Sequence, residues 1–278
     1  MRVTEHLGRR PHARRARRLS PLALAAWLLA AAVAHADEPS LEFWPEVDVW
    51  WRLSPAWRLS LFVPVSKNIE TDYREGNLIP QVDYAWGKSH RQHRGRLMDE
   101  NRAETMKAFM ARGGYLGGQS LGDQGEQYTE HTVFGEFHVR TPLRGNVLLS
   151  SRLRTDLRWL GDDDPAFSTR WRYRLMAEKE VDLGRVSWVP YANAECYYDS
   201  RYDTVNRVRV IGGTSVAWSP RFAIEGNWTY QHDTRSSVTS LNALNVILHV
   251  YFETHREPSP AWDAGAANEP RAPDENLR

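Results

Sequence analysis

VLLSSRLRTDLRW (residues 147–159) and FSTRWRYRLMAEKE (residues 167–180) decide how this chain folds. Taken two residues at a time, one face carries Ser150, Arg152, Arg154, Asp156 and Arg158, then Arg170, Arg172, Arg174 and Glu178. The other carries Leu149, Leu153, Leu157 and Trp159, then Trp171, Tyr173 and Leu175. Successive side chains of a strand point to opposite faces, so this is β alternation with charge on one side and apolar groups on the other.

The same reading extends in both directions. Downstream it predicts strands at about 187–199, 206–218, 222–232 and 242–252, and upstream at 128–141, 105–116, 78–86, 57–65 and 46–53. Tight connections (Ser54 to Ala56, Leu143 to Asn146, Asp182 to Arg185, Ser219 to Arg221) alternate with longer polar ones (Gly161 to Ala166, Ser200 to Val205, Asp233 to Leu241). Residues 66–77 and the glycine-rich 117–127 read as loops, and 87–104, charged and without a sustained period, reads as a loop with a short helix as the alternative. Several strands exceed the ~5–6 residues usual in soluble sheets and match the ~9–11 that cross a bilayer. The expected fold is all-β: an antiparallel transmembrane β-barrel, with tight turns on one rim and longer loops on the other. Eleven strands are recognisable, whereas bacterial single-chain barrels usually have an even number. About 12 is therefore the expected count, with 10 possible and Leu41 to Trp44 as the candidate extra strand. The last strand presents Val246, Leu248, Val250 and Phe252 on one face, the pattern of a closing strand that ends on an aromatic.

Residues 1–36 read as a secretory signal peptide: arginines from Arg9 to Arg18, an apolar run from Leu22 to Val33, and Ala34-His35-Ala36 before Asp37. They hold 7 of the 36 basic and 1 of the 35 acidic residues, which leaves 29 and 34 and a net charge of −5 for residues 37–278. Acids interleaved with the arginines argue against a nucleic-acid partner. The single cysteine, Cys196, forms no internal disulfide, so closure of a barrel is the expected source of stability. Eleven of the 12 tryptophans fall after residue 36, many at the ends of alternating segments, as in an aromatic girdle. Residues 37–252 are thus the expected barrel, and the tail from 253 to 278, rich in Pro, Ala, Glu and Asn, is expected to be disordered.

Energy orients the two faces. An arginine facing lipid at mid-bilayer costs about 2–4 kcal/mol, so turning Arg170, Arg172 and Arg174 outward would cost about 6–12 kcal/mol, as much as a whole domain's stability. The charged face is therefore expected to line the interior. It comprises Glu46, Asp48, Arg52, Glu136, His138, Arg140, Arg152, Arg154, Asp156, Arg158, Arg170, Arg172, Arg174, Glu178, Glu195, Arg207, Arg209 and Glu225. Two roles stay open for it: arginine–carboxylate pairs that stiffen a narrow barrel, or an arginine-lined pore that favours anions. For catalysis, His138, Ser150 and Asp156 are the combination to inspect, but polar interior side chains account for them, and no catalytic residue is assigned. His90 and His93 lack a third ligand, and Asp162 to Asp164 read as a solvated loop, so neither a metal nor a cofactor is expected.

Four segments carry a family resemblance: Ser151-Arg152-Leu153-Arg154, Arg170 to Leu175, Pro190 to Glu195, and Asn206 to Arg209 running into Gly212-Gly213. With them, residues 128–252 resemble a family of proteins taken as outer-membrane β-barrels of Gram-negative bacteria and catalogued as a domain of unknown function. The resemblance implies the barrel and the outer membrane, and it supplies no catalytic residues. The expected partners are outer-membrane lipid, lipopolysaccharide and the barrel-assembly machinery. The expected role is a structural envelope component or a narrow channel. An outer-membrane lipid hydrolase and a soluble periplasmic β-sandwich or ligand-binding barrel are the alternatives.

Overall fold

The computed structural model describes residues 39–71, 73–90, 106–122, 129–145, 147–161, 166–183, 186–219, 221–235 and 239–253. The segments read as signal peptide (1–36) and tail (254–278), together with His93 and Asp162 to Asp164, lie outside the described residues.

Among the described residues, eleven long strands and one two-residue stub form a single closed sheet. In order they are β1 (Ser40–Arg52), β2 (Trp57–Asn68), β3 (Arg74–His90), β4 (Met106–Ser120), β5 (Thr129–Leu143), β6 (Val147–Leu160), β7 (Ala166–Lys179), the stub β8 (Val181–Asp182), β9 (Ser187–Asp199), β10 (Thr204–Ala217), β11 (Phe222–Asp233) and β12 (Ser240–Glu253). Each long strand pairs antiparallel with its neighbour in sequence, and β8 only extends the edge of β9. The strands run from 12 to 17 residues.

Closure is where the expectation of an even count gives way. β1 and β12 pair in parallel over their whole length, from Ser40 beside Leu241 to Arg52 beside Glu253. In an up-and-down meander, successive strands alternate in direction, so an odd number places the first and last parallel. Leu41 to Trp44 are not an extra strand but the start of β1, which runs through Pro45. Pro45 is tolerated although it has no N–H to give to a ladder, and it stands opposite Val246 across the seam.

Three loop assignments are also corrected. β4 continues through Gly117 and Gly118 to Ser120, where expectation placed a loop, because Gly117 and Gly118 pair with His131 and Glu130 of β5. β3 begins at Arg74 and reaches His90, so the loop before it shrinks to 69–73. Among the connections on the rim reached by the end of β1, 53–56, 144–146 and 218–221 are short, yet 91–105 is the longest of all. The opposite rim carries 69–73, 121–128, 161–165, 200–203 and 234–239, so the asymmetry between rims is weaker than alternation implied.

The barrel is inverted relative to a water-soluble one. Its interior is lined by buried polar groups such as Asp83, Glu136, Asp156, Glu225 and His249. Its exterior displays Leu153, Phe167, Trp171, Tyr173, Leu175 and Leu248. This removes the β-sandwich alternative, in which the apolar faces of two sheets would pack together. Outer aromatic side chains gather toward both rims. Trp57, Tyr84, Trp86 and Phe109 follow one another at 4.7, 5.5 and 6.0 Å near the end of β1, with Trp51 and Phe252 stacked at 5.9 Å. At the other rim Trp159 and Phe167 lie 5.3 Å apart.

Candidate functional site

The strand period puts every second residue inside, and register decides which of them meet. Glu136 of β5 pairs across the sheet with Arg154 of β6, and His138 pairs with Arg152. As a result the Glu136 carboxylate, almost wholly buried, receives several donors. His138 Nε2 is 2.8 Å away, Arg154 Nη1 3.0 Å, Arg152 Nη1 3.4 Å and Arg112 Nη1 3.5 Å. Each arginine also holds a second carboxylate. Arg112 grips Asp83 with a two-pronged contact at 2.6 and 3.1 Å, Arg154 Nε donates to Asp156 at 2.6 Å, and Arg152 donates to Glu195. Asp156 in turn meets Arg172 at 2.7 Å, and the Tyr197 hydroxyl donates to Glu195 at 2.5 Å. Arg154 further lies 3.7 Å above the Phe134 ring. Charges removed from water are tolerable when paired and hydrogen-bonded, and every charged group of this mesh across β3 to β9 is paired, although Arg152 Nε makes no hydrogen bond and the Arg172 Nε–Asp156 Oδ2 contact is an ion pair without hydrogen-bond geometry.

Toward the rim at the end of β1 the interior is plugged. Trp50, Ala217, Ala223 and Tyr251 form an apolar cluster against Phe62, with Arg58 stacked 4.4 Å over Trp50 while it binds Asp83 at 2.6 Å. His249 sits fully buried with ring nitrogens 3.3 Å from Asp48 and 3.3 Å from Glu225, and Glu225 also accepts the Tyr191 hydroxyl. Arg140 lies against Met110 Sδ at 3.5 Å. Glu46, Arg52, Arg174 and Glu178 share the inward register of these residues. Every long strand contributes at least one inward residue to a buried belt at this level, among them Asp48, Ser60, Gln81, Met110, His138 and Ser150. A water-filled pore would leave its lining accessible, so the belt closes this half.

Toward the opposite rim the interior opens into a vestibule of about 710 Å³. Its arginine wall comes from β6, β7 and β10. Arg158 grips Glu130 at 2.7 and 3.0 Å, Arg170 reaches Asp199 at 2.8 Å, and Arg207 reaches Asp233 at 2.6 Å. Arg209 donates to the Gln231 amide oxygen at 3.1 and 2.5 Å. Arg201, on the turn beyond β9, also bonds Asp199 at 2.8 Å, and that hydrogen bond raises its pKa above the ordinary arginine value. Tyr197 stands at the centre, because it pairs with Arg172 on one side and Arg207 on the other.

The triad inspected in the sequence is not assembled. His138 is turned to Glu136, Asp156 is occupied by Arg154 and Arg172, and no hydrogen bond joins Ser150 to either among the described residues. Val246, Leu248 and Phe252 lie on the outer face of β12, as does the partly covered Val250. Sequence reasoning missed Arg58, Asp83, Arg112, Glu130, Tyr197, Asp199, Asp233 and His249. All lie on the inward register of their strands, so extending the alternation along β2, β3, β4, β9 and β12 would have found most of them. Among the described residues, no group of three or more His, Cys, Asp and Glu is arranged to hold a metal ion.

The family described as "Protein of unknown function (DUF2490)" matches residues 103–242, half of the chain. The chain belongs to the DUF2490 family. The DUF2490 match takes in β4, upstream of the stretch where the resemblance was read, and ends at the start of β12. It covers Glu136, Asp156, Glu195 and Tyr197, while β1 to β3 lie before it. A search of curated proteins returned no match. Among solved structures the chain is similar to the β domain of the Bordetella autotransporter Brka, at 11% identity over 72% of this chain and 82% of that one, with a TM-score of 0.39.

Proposed function

We propose that the protein is an outer-membrane β-barrel whose interior is filled at one end, a structural envelope component rather than an open channel. The observation that carries this reading is the inversion of its faces. Soluble monomers rarely expose contiguous apolar surface beyond a few hundred Å². Here Leu153, Trp171, Tyr173 and Leu175 are each 43–53% exposed on adjacent strands, while Asp156 and His249 inside are fully buried. A soluble ligand-binding barrel needs the reverse arrangement. Closure satisfies every strand edge, the condition for strands to lie in hydrocarbon, and the aromatic bands near the rims suit the two interfaces. Export through a cleaved signal peptide, insertion by the barrel-assembly machinery, and contact of the outer belt with outer-membrane lipid and lipopolysaccharide belong to the same proposal.

Between a channel and a structural barrel, the buried belt around Trp50, His249 and Tyr251 favours the structural one. The test is envelope fractionation followed by electrophoresis with and without boiling, then planar-bilayer recording of the refolded protein. The expected result is an outer-membrane band whose mobility shifts on heating and which gives no conductance steps. A soluble periplasmic band would overturn the membrane assignment, and steps above bilayer background would replace the structural role with a channel.

A further inference from the structure

Four guanidinium groups surround the Tyr197 ring: Arg172 at 5.1 Å, Arg209 at 5.4 Å, Arg207 at 5.7 Å and Arg170 at 6.0 Å. Crowding of like charges is unfavourable unless each is matched. Arg170 and Arg207 are matched by Asp199 and Asp233. The other two are matched less completely. Arg172 reaches Asp156 through Nε, at 2.7 Å, and its two terminal nitrogens have no partner among the described residues. Arg209 gives its bonds to a neutral amide, Gln231, and meets no carboxylate within salt-bridge distance among the described residues. Both line the vestibule.

We infer that the vestibule binds a small, water-soluble, hydroxyl-rich ligand with one phosphate, and that the phosphate sits between Arg172 and Arg209 beside Tyr197. Arginine forks suit phosphate oxygens, and an anion there supplies the counter-charge that Arg209 lacks and meets the terminal nitrogens of Arg172. The cavity, at about 710 Å³, is far larger than a phosphate ion and falls in the range of small-molecule sites, about 300–1,000 Å³. The facing wall, from β1 and β3, specifies the rest of the ligand. Glu42 accepts from Trp44 at 2.6 Å and Glu75 from Ser66 at 2.9 Å, each through one carboxylate oxygen. The other oxygen of each, with the Asn77 amide, is left to accept hydroxyls and to repel a second anion. The strands separate this cavity from the outer surface, so the ligand enters over the rim from water rather than sideways from lipid.

The site is tested on the refolded barrel in zwitterionic detergent, by isothermal titration calorimetry at fixed ionic strength with glucose 1-phosphate, inorganic phosphate and glucose. This measurement is independent of the membrane assignment. Saturable binding of glucose 1-phosphate is expected, tighter than that of inorganic phosphate, with none for glucose. Arg209→Gln is expected to weaken it about 10- to 100-fold, the scale of charge-assisted hydrogen bonds, with the heat-shifted gel mobility retained as the check on folding. Should that variant not fold, Arg209→Lys keeps the charge, loses the fork, and is expected to weaken binding several-fold. Absence of saturable binding, an affinity indifferent to the Arg209 substitutions, or equal affinity for inorganic phosphate would each overturn the assignment.

Discussion

Replacing Leu153 by arginine separates a lipid-facing from a water-facing exterior more sharply than any change inside the barrel. Leu153 is 48% exposed on β6, which spans Val147–Leu160. A strand rises ~3.3 Å per residue, and a tilt of ~45° leaves about 2.3 Å of that along the membrane normal. Leu153 lies six residues from Val147, so it sits about 14 Å from that end, near the middle of an apolar band ~25 Å tall. Arginine at that depth costs about 2–4 kcal/mol, whereas at Val147, close to the interface, it costs about 0–1 kcal/mol. In water, the same exposed substitution lies within about ±0.5 kcal/mol. Its cross-strand neighbours, Phe137 and Tyr173, would even offer the guanidinium aromatic faces. The assay is equilibrium folding into phosphatidylcholine vesicles against guanidinium chloride, read by heat-shifted gel mobility and tryptophan emission. Leu153→Arg is expected to lower the folding constant roughly 30- to 900-fold, and Val147→Arg by less than about tenfold. Equal stabilities for Leu153→Arg and wild type would refute a lipid-facing exterior.

Other consequences concern the interior and the closure. Glu136→Leu leaves His138, Arg112, Arg152 and Arg154 without a shared acceptor. It is expected to destabilise by about 3 kcal/mol, the lower end for a broken buried pair, because each arginine keeps a second carboxylate; a loss below 1 kcal/mol on denaturant unfolding would contradict the mesh. At Gly213 an added Cβ would run into Asn227 and meet Gly226 O and Tyr191 Oη at 2.8 Å, while at Gly212 it meets nothing within 4 Å. Gly213→Ala is therefore expected to cost about 1–3 kcal/mol and Gly212→Ala to be nearly neutral, and the reverse order in unfolding midpoints would show the register of β10 to be wrong. Cysteines at Val47 and Leu248, adjacent across the parallel seam, are expected to cross-link on mild oxidation in a Cys196→Ser background. Peptide mapping that finds no such cross-link would count against parallel closure.

The strands were legible because alternation is local. Arg152, Arg154, Asp156 and Arg158 declare their face from seven consecutive positions, whatever the rest of the chain does. The loops at 69–73 and the extension of β4 through Gly117 and Gly118 were misjudged because glycine and polar residues weaken a local signal. Pairing with β5, a distant partner, supplies the strand there. The arginine contacts were legible in kind but not in identity. Arg154 meets Asp156, two residues on, but Arg152 meets Glu195, 43 residues away, and Arg158 meets Asp199, 41 residues away, so nearness in sequence finds only some of them.

By itself, then, the sequence determined which side chains share a face and, for a barrel set in lipid, which face turns inward. Those are properties of single strands and of transfer energies. Only the tertiary structure decided that eleven strands close in parallel between β1 and β12, that Glu136 gathers its donors, and that Tyr197 stands among four arginines above an open vestibule. Each of these depends on register and strand count, which are settled by the closing of the whole sheet rather than by any one segment.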